Sequence, residues 1–388
     1  MKKLLIGLLV FIVLAVTLPV VGLLVTGHGY ILTALQRTYL AGHTTANIDD
    51  YRQFDTRIIA AGEMTPWEQH PQFVGEAIPA ALDEFLIGNE AVAFLVIYQG
   101  QILAEKYYDG YGARSRTNSF SVAKSVVSML LGAAVRDGIV DSIDQPIVDF
   151  LPEFADDPLG ATATLRHLSG MDSGYDWDEH YYSPFSPTVA LLYSNDVGRY
   201  ILQRDFTSAP GETFYYSSAS TQLLTMALSR ALARHAPDLT LSQYLSQTLW
   251  QPLGMNDDAL WHLDGTGQEL GYCCISTNAR NFAKLAQMLL QDGEWQGQQV
   301  LPSPWVLEMR RAGLFEDYGL SLWLDYDAPV PHFAMRGHLG QYMTIVPSLD
   351  LVIVRLGRQL PEGYALYSEL LPYYIEQVQS LLPMADSP

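Results

Sequence analysis

The chain has 388 residues, of which 49% are hydrophobic, and a formal net charge of −20. The hydrophobic content predicts a packed core and excludes an intrinsically disordered chain. The acidic surface would repel phosphate groups, so nucleic acid and anionic lipid headgroups are excluded as partners.

The N-terminus carries Lys2 and Lys3, followed by residues 4–25 without a single charge, a stretch long enough to span a bilayer as a helix. The absence of an Ala-x-Ala cleavage site favours an uncleaved anchor over a signal peptide. The two lysines predict a cytoplasmic N-terminus and an exported remainder. The predicted organisation is a membrane anchor (or signal peptide) over residues 1–26, a linker or N-terminal extension over 27–83, and the main domain over 84–384.

The first predicted strands are residues 91–98 and 102–108, which are rich in β-forming residues. Gln99-Gly100-Gln101 lies between them, and a short glycine-containing turn between such runs predicts a β-hairpin.

The next element begins at Ser121, where Lys124 follows three residues later at the head of an apolar run that ends at Asp137-Gly138. Residues three apart share a helix face, so the Lys124 amine can reach the Ser121 hydroxyl as a nucleophile and its proton acceptor. Burial in an apolar helix would lower the pKa of Lys124 and make it a better base. Alternatively, Lys124 extends to the surface along its apolar stem.

The middle of the chain is predicted to be mostly helical and rich in loops, and strands return only near the C-terminus. Strands supplied by both ends of a domain around a helical insert predict an α+β fold with one antiparallel sheet. The predicted elements are helices at 223–234 and 277–290, a hairpin of strands 341–346 and 351–356, and a closing helix at 364–382.

Two cysteines, Cys273 and Cys274, are adjacent in the sequence. A disulfide between neighbours would be strained, so we expect two buried free thiols. The sequence has neither a cluster of His, Cys and carboxylates with metal-ligand spacing nor a glycine-rich phosphate loop, so no metal and no organic cofactor is predicted.

Two further motifs are Tyr216-x-Ser218, just before an apolar helix, and His338-x-Gly340, just before the last hairpin. Taken singly, Tyr216 reads as a core aromatic residue and His338 as an ordinary half-buried histidine.

Taken in order with Ser121-x-x-Lys124, these motifs resemble those of the serine β-lactamase and penicillin-binding protein superfamily. The resemblance is nearest to class C-like serine hydrolases of the 6-aminohexanoate-dimer hydrolase type, which also have a serine at the position of Ser218. It extends over residues 84–382 and includes the connecting segments 141–153, 164–174 and 293–304. It implies a β-lactamase/transpeptidase-like fold, in which helices flank an antiparallel sheet and a mostly helical subdomain is inserted.

The resemblance also implies a mechanism. Ser121 attacks a carbonyl to form an acyl-enzyme, Lys124 and Tyr216 share the role of base, and water hydrolyses the intermediate. The backbone N–H groups of Ser121 and Gln341 form the oxyanion hole. The implied substrate-binding residues are Ser218, His338, Gly340, Tyr182 and Arg336.

Two departures bear on the substrate. His338 stands where penicillin-recognising members have a lysine, and Ser218 replaces an amide side chain, so short esters or small linear amides are favoured over β-lactams. The sequence thus predicts a membrane-anchored serine hydrolase on the periplasmic side of a bacterial cell membrane. The alternatives are a β-lactamase or D-alanyl peptidase, or a non-catalytic binding protein with the same fold.

Overall fold

The computed structural model of the protein describes residues 2–361 and 369–383. The α-helices of this part are α1 (Lys2–Val25), α2 (Tyr30–Arg37), α3 (Ala80–Gly88), α4 (Val122–Arg136), α5 (Leu165–Gly170), α6 (Pro187–Tyr193), α7 (Val197–Ile201), α8 (Ser218–His235), α9 (Leu241–Leu245), α10 (Ala279–Leu290), α11 (Ser303–Met309) and α12 (Leu370–Gln379). The strands are β1 (Thr56–Ile59), β2 (Ala91–Tyr98), β3 (Gln101–Tyr107), β4 (Thr117–Asn118), β5 (Ala259–His262), β6 (Ile275–Thr277), β7 (Glu294–Trp295), β8 (Gln298–Gln299), β9 (Trp323–Asp325), β10 (His332–Gly337), β11 (Gln341–Val346) and β12 (Leu351–Gly357).

The main sheet is antiparallel, with strand order β3-β2-β12-β11-β10-β9. Its central pairing joins the two ends of the domain, because β12 lies against β2 with Ile353 opposite Val96. Both predicted hairpins are present, and the first turns through Gln99 and Gly100, whose φ angles are 50° and 74°. The predicted α+β architecture is confirmed.

Both faces of the main sheet are buried. Ile97 and Val354 belong to the core cluster that also includes the apolar residues of α4, α8 and α10. Val96 and Ile353 point to the opposite face, where they join the apolar residues of α3 and α12. Alternate residues of a strand therefore serve two cores, as the period of two requires.

The predicted helices are found with shifted ends. The Ser217 side chain accepts a hydrogen bond from the N–H of Ser220, so α8 begins five residues before the predicted start at Leu223. The Asn278 side chain caps α10 in the same way. Of the predicted closing helix, the part from 370 to 379 is helical, and residues 364–368 lie outside the described residues.

A second, smaller sheet was not predicted. It has the order β1-β5-β6-β4 and draws β1 from the expected N-terminal extension. Ile48, Phe54 and Ile59 of that extension are buried in the larger core cluster. The segment therefore packs on the main domain.

Helix α1 is long and apolar enough to cross a membrane, and none of its residues is buried against the rest of the protein. Residues 26–29 separate it from α2, so α2 follows closely after the end of the apolar helix.

Candidate active site

Ser121 lies at the amino end of α4, at the bottom of a depression in the surface. The chain reaches it from β4 through Phe120, whose φ of 45° lies in the left-handed region and whose N–H is held by the Asn118 side chain at 3.0 Å. Ser121 remains half-buried, so its hydroxyl is accessible from the depression.

Lys124 lies one turn along α4, and its Nζ is 3.1 Å from the Ser121 Oγ. The amine also donates to the Ser218 Oγ at 3.1 Å and to the Tyr272 carbonyl oxygen at 2.8 Å. A neutral amine has two N–H donors and one lone pair. With both donors used on Ser218 and Tyr272, the lone pair is left for the Ser121 hydroxyl proton.

The environment of Lys124 makes this neutral form more accessible than it is for a lysine in water. The side chain is only 1% exposed, and burial lowers the pKa of the amine to about 8, against the opposing effect of the Glu179 carboxylate. Lysine ordinarily titrates near 10.4, so the neutral base is far more available here near neutral pH.

Glu179 is the residue that the sequence reasoning missed. Its carboxylate accepts hydrogen bonds from the Ser218 N–H at 2.7 Å and the Ser218 Oγ at 2.6 Å. It also accepts from Trp177 Nε1 and Tyr181 OH, each at 2.7 Å. The signal in the sequence was an acidic residue within the aromatic stretch from Tyr175 to Tyr182. The carboxylate fixes Ser218, which in turn orients the Lys124 amine.

Tyr216 lies on the other side of the amine, with its ring centroid 5.1 Å from Lys124 Nζ. The ring is held between Trp323 and Tyr318, at centroid distances of 5.4 Å and 6.1 Å. Tyr216 is half-buried and lines the same depression as Ser121. The three predicted catalytic side chains are thus brought together from two segments.

The third motif forms the turn between β10 and β11. Gly340 has a φ of 81°, and a Cβ at this position would lie 1.9 Å from the Arg355 guanidinium. Arg355 donates to the carbonyl oxygens of Leu339 and Gly340 at 2.9 Å and 2.8 Å. A buried cation therefore holds the turn in place, and glycine is required for its close approach.

Gln341 begins β11, so its backbone N–H lies at the start of the strand beside the site. Its side-chain amide donates to the carbonyl oxygens of His338 and Gly357 at 3.0 Å and 2.7 Å, which anchors this predicted oxyanion position. His338 packs against the rings of Tyr181 and Phe120, both at 5.5 Å, and burial lowers its pKa. A neutral imidazole therefore faces the site.

The two remaining predicted substrate-binding residues, Arg336 and Tyr182, differ in position. Arg336 is 7% exposed, lies 5.4 Å from the Trp323 ring and lines the depression. Tyr182 is 75% exposed and lies at the rim. Its neighbour Tyr181 is closer to the chemistry, because it contacts both Glu179 and His338.

A second opening beside Ser121 leads into a cavity of about 390 Å³. Its wall includes Cys273 and Cys274, which form a disulfide. The expectation of free thiols was wrong. Cys274 has a φ of 79°, a left-handed conformation that is rare for a residue other than glycine and that no sequence pattern indicates.

The chain is similar to known proteins over most of its length. The family model described as Beta-lactamase matches residues 80–367. A 6-aminohexanoate-dimer hydrolase from Paenarthrobacter ureafaciens is 28% identical over 288 residues, which cover 68% of this chain and 71% of that protein.

Two solved structures have the same fold. A Bacillus anthracis protein assigned as a 6-aminohexanoate-dimer hydrolase superposes with a TM-score of 0.69 at 20% identity, covering 90% of this chain and 95% of that one. A family VIII carboxylesterase superposes with a TM-score of 0.60 at 15% identity, covering 84% and 100%.

Proposed function

The chain belongs to the Beta-lactamase family of serine hydrolases, and from this premise we propose that it cleaves a carboxylic ester or a small linear amide through an acyl-enzyme on Ser121. The observation that carries the proposal is the 3.1 Å contact between Ser121 Oγ and the buried amine of Lys124. The names of the relatives, a 6-aminohexanoate-dimer hydrolase and a family VIII carboxylesterase, support both substrate classes.

In the proposed reaction, Ser121 Oγ bonds to the substrate carbonyl carbon while its proton passes to Lys124. The oxyanion is stabilised by the backbone N–H groups of Ser121 and Gln341, where losing one donor typically costs about 10²–10³ in rate. The leaving alcohol or amine departs with a proton delivered through Lys124 and Tyr216. Water, deprotonated by the same pair, then releases the acid and restores Ser121.

The site chemistry supports esters and linear amides over β-lactams. The imidazole of His338 is buried and favours the neutral form, so it offers no fixed positive charge to a substrate carboxylate. The Ser218 hydroxyl is bound to Lys124 and Glu179, so its role is to orient the amine. Among the described residues that line the depression, Arg336 is the cation that remains as a candidate for a polar or anionic part of the substrate.

We further propose that α1 anchors the enzyme in the bacterial cell membrane as a single span, with residues 84–384 as the hydrolase domain outside the cytoplasm. The exposed apolar surface of α1 and the lysines at its start support this orientation.

The test labels the full-length protein with a fluorophosphonate and, separately, with a labelled penicillin, and maps the modified residue by peptide mass spectrometry. Fluorophosphonate on Ser121, lost in Ser121→Ala and Lys124→Ala, is the expected result. Ser125→Ala is the matched control, because Ser125 lies one turn further along α4 and donates to the Ser321 carbonyl oxygen.

Labelling by penicillin at the same serine would instead favour a β-lactamase or D-alanyl peptidase. Absence of both labels from folded protein would contradict catalysis and favour a binding protein with this fold.

A further inference from the structure

The cavity beside Ser121 has a different character from the depression that holds Tyr216 and Glu179. It is walled on one side by Ile31, Ala34 and Leu35 of α2, and on the other by Val189 and Leu192 of α6. Its volume of about 390 Å³ falls within the range of ligand-binding pockets. Ser121 and His338 line both spaces, so a substrate bound at Ser121 can extend into each.

The cavity offers no cation to a negatively charged ligand, because none of the described residues that line it is lysine or arginine. Its one carboxyl group, Asp50, is 2% exposed and accepts a hydrogen bond from the Asn118 amide at 2.9 Å. Burial raises the pKa of Asp50 to about 7, so its negative charge is disfavoured. The imidazole of His338 is likewise neutral, and the cysteines are joined as a disulfide. An uncharged, apolar chain fits these walls best.

Exposed apolar side chains lie in the cavity lining, as Tyr39 and Tyr182 do, or directly beside it in the sequence, as Leu40 and Phe185 do. Tyr39 is 62% exposed, Leu40 83%, Tyr182 75% and Phe185 64%. The Phe185 ring packs edge-on against His28 at 5.6 Å, in the short link between α1 and α2. An apolar, aromatic surface at the end of a membrane-spanning helix is typical of residues at the bilayer interface.

We infer that the substrate is an amphiphilic ester whose long, uncharged apolar chain enters this cavity from the membrane. Its polar end then lies in the depression with Glu179, Arg336 and Tyr342. This inference rests on the proposed function, because it assigns a substrate class to hydrolysis at Ser121.

The test reconstitutes the full-length protein in phosphatidylcholine vesicles and compares kcat/KM for p-nitrophenyl decanoate and p-nitrophenyl butyrate. The longer acyl chain removes more apolar surface from water when it enters the cavity, so a preference for decanoate of at least about tenfold is expected. Long esters also concentrate in the vesicles, so the preference alone does not decide the question.

Variants that narrow the cavity show whether the preference for decanoate comes from the cavity or from the partitioning of long esters into the vesicles. Ala34→Phe narrows the α2 wall, and we expect it to reduce the decanoate-to-butyrate ratio by about tenfold or more. Gln36→Phe is the matched control, because Gln36 is exposed on the same helix and is expected to keep the wild-type ratio. Val189→Phe narrows the opposite wall and repeats the test should Ala34→Phe fail to fold.

The outcomes also distinguish this inference from the proposed function. Fluorophosphonate labelling of Ser121 in each variant reports an intact catalytic site. If Ser121 is labelled but both cavity variants keep the wild-type ratio, or butyrate is preferred, the substrate assignment is overturned and the hydrolase stands. If wild-type Ser121 is not labelled, the proposed function itself is overturned.

Discussion

Two lysines are buried in helices of this protein, Lys124 in α4 and Lys284 in α10, and they differ in what surrounds the amine. Burial lowers the pKa of each to about 8. The amine of Lys124 is bonded to two serine hydroxyls and one carbonyl. Lys284 donates to the carbonyl oxygens of Thr65, at 2.6 Å, and Gly254, near the ring of Trp295.

A lowered pKa alone therefore does not make a lysine a catalytic base. A carbonyl oxygen has no proton to give, so Lys284 can only tie the chain near Thr65 to the loop at Gly254. A hydroxyl group can give up a proton, and the Ser121 hydroxyl also lines a depression that is open to the surface. Lys284 is therefore a structural lysine by our interpretation, and the pair provides an internal control.

The largest effect is expected from replacing each lysine by methionine, which keeps the length of the side chain. Lys124→Met should reduce kcat/KM by about 10²–10⁴, the usual contribution of a general base. Lys284→Met should leave kcat/KM unchanged but lower the free energy of unfolding by about 1–3 kcal/mol, because two buried carbonyls lose their donor. Ester kinetics and urea denaturation measure the two quantities. Equal losses of activity in the two folded variants would contradict the assignment of Lys124 as the base and Lys284 as a structural residue.

The two lysines also differ in the aromatic ring beside the amine. Tyr216, beside Lys124, has a hydroxyl group, and Trp295, beside Lys284, does not. Tyr216→Phe should reduce kcat/KM by about 10², because it removes one of the two groups that carry the proton. Tyr318→Phe, in the ring that packs against Tyr216, is the control and should stay within about twofold. A Tyr216→Phe variant with full activity would leave Lys124 as the sole base.

The pH dependence follows from the pKa of Lys124. Below about pH 8 the amine is protonated and cannot accept the Ser121 proton, so kcat/KM should rise with pH toward a plateau. At pH 6 we expect about one hundredth of the plateau value. The profile of Lys284→Met should be superimposable on that of the wild type. A profile that is flat between pH 6 and 9 would be inconsistent with neutral Lys124 as the base.

The smallest predicted effect concerns Glu179, whose carboxylate raises the pKa of Lys124 against the effect of burial. Glu179→Gln should move the rise of kcat/KM to lower pH and reduce the plateau about tenfold, the equivalent of one hydrogen bond. The pH shift distinguishes an electrostatic role from a merely structural one. Glu153→Gln, which alters the exposed pair with Arg230, should change neither quantity.

Much of this site was predictable because local spacing determines it. Ser121 and Lys124 lie on one helix, where a separation of three residues brings the side chains together whatever the rest of the fold does. The two hairpins were predictable for the same reason, since a short turn fixes the pairing of its own strands. The resemblance then linked Tyr216 and His338 to the same site.

The remaining features depend on tertiary structure. Glu179 reaches Ser218 only because an irregular segment folds back over α8, and no periodic pattern marks such a segment. Tyr181, and not the predicted Tyr182, lies against Glu179 and His338, and the two alternatives differ by a shift of one residue along that segment. The pairing of Cys273 with Cys274 depends on the local backbone conformation, which composition and spacing do not determine.

The paired cysteines have a practical consequence for spectroscopy. The sequence contains only these two, and both are joined as a disulfide, so the oxidised protein presents no thiol to a maleimide dye. A single cysteine introduced at exposed Gln36 would therefore be the sole point of attachment. An environment-sensitive fluorophore there would report whether α2 contacts lipid when the protein is reconstituted in vesicles.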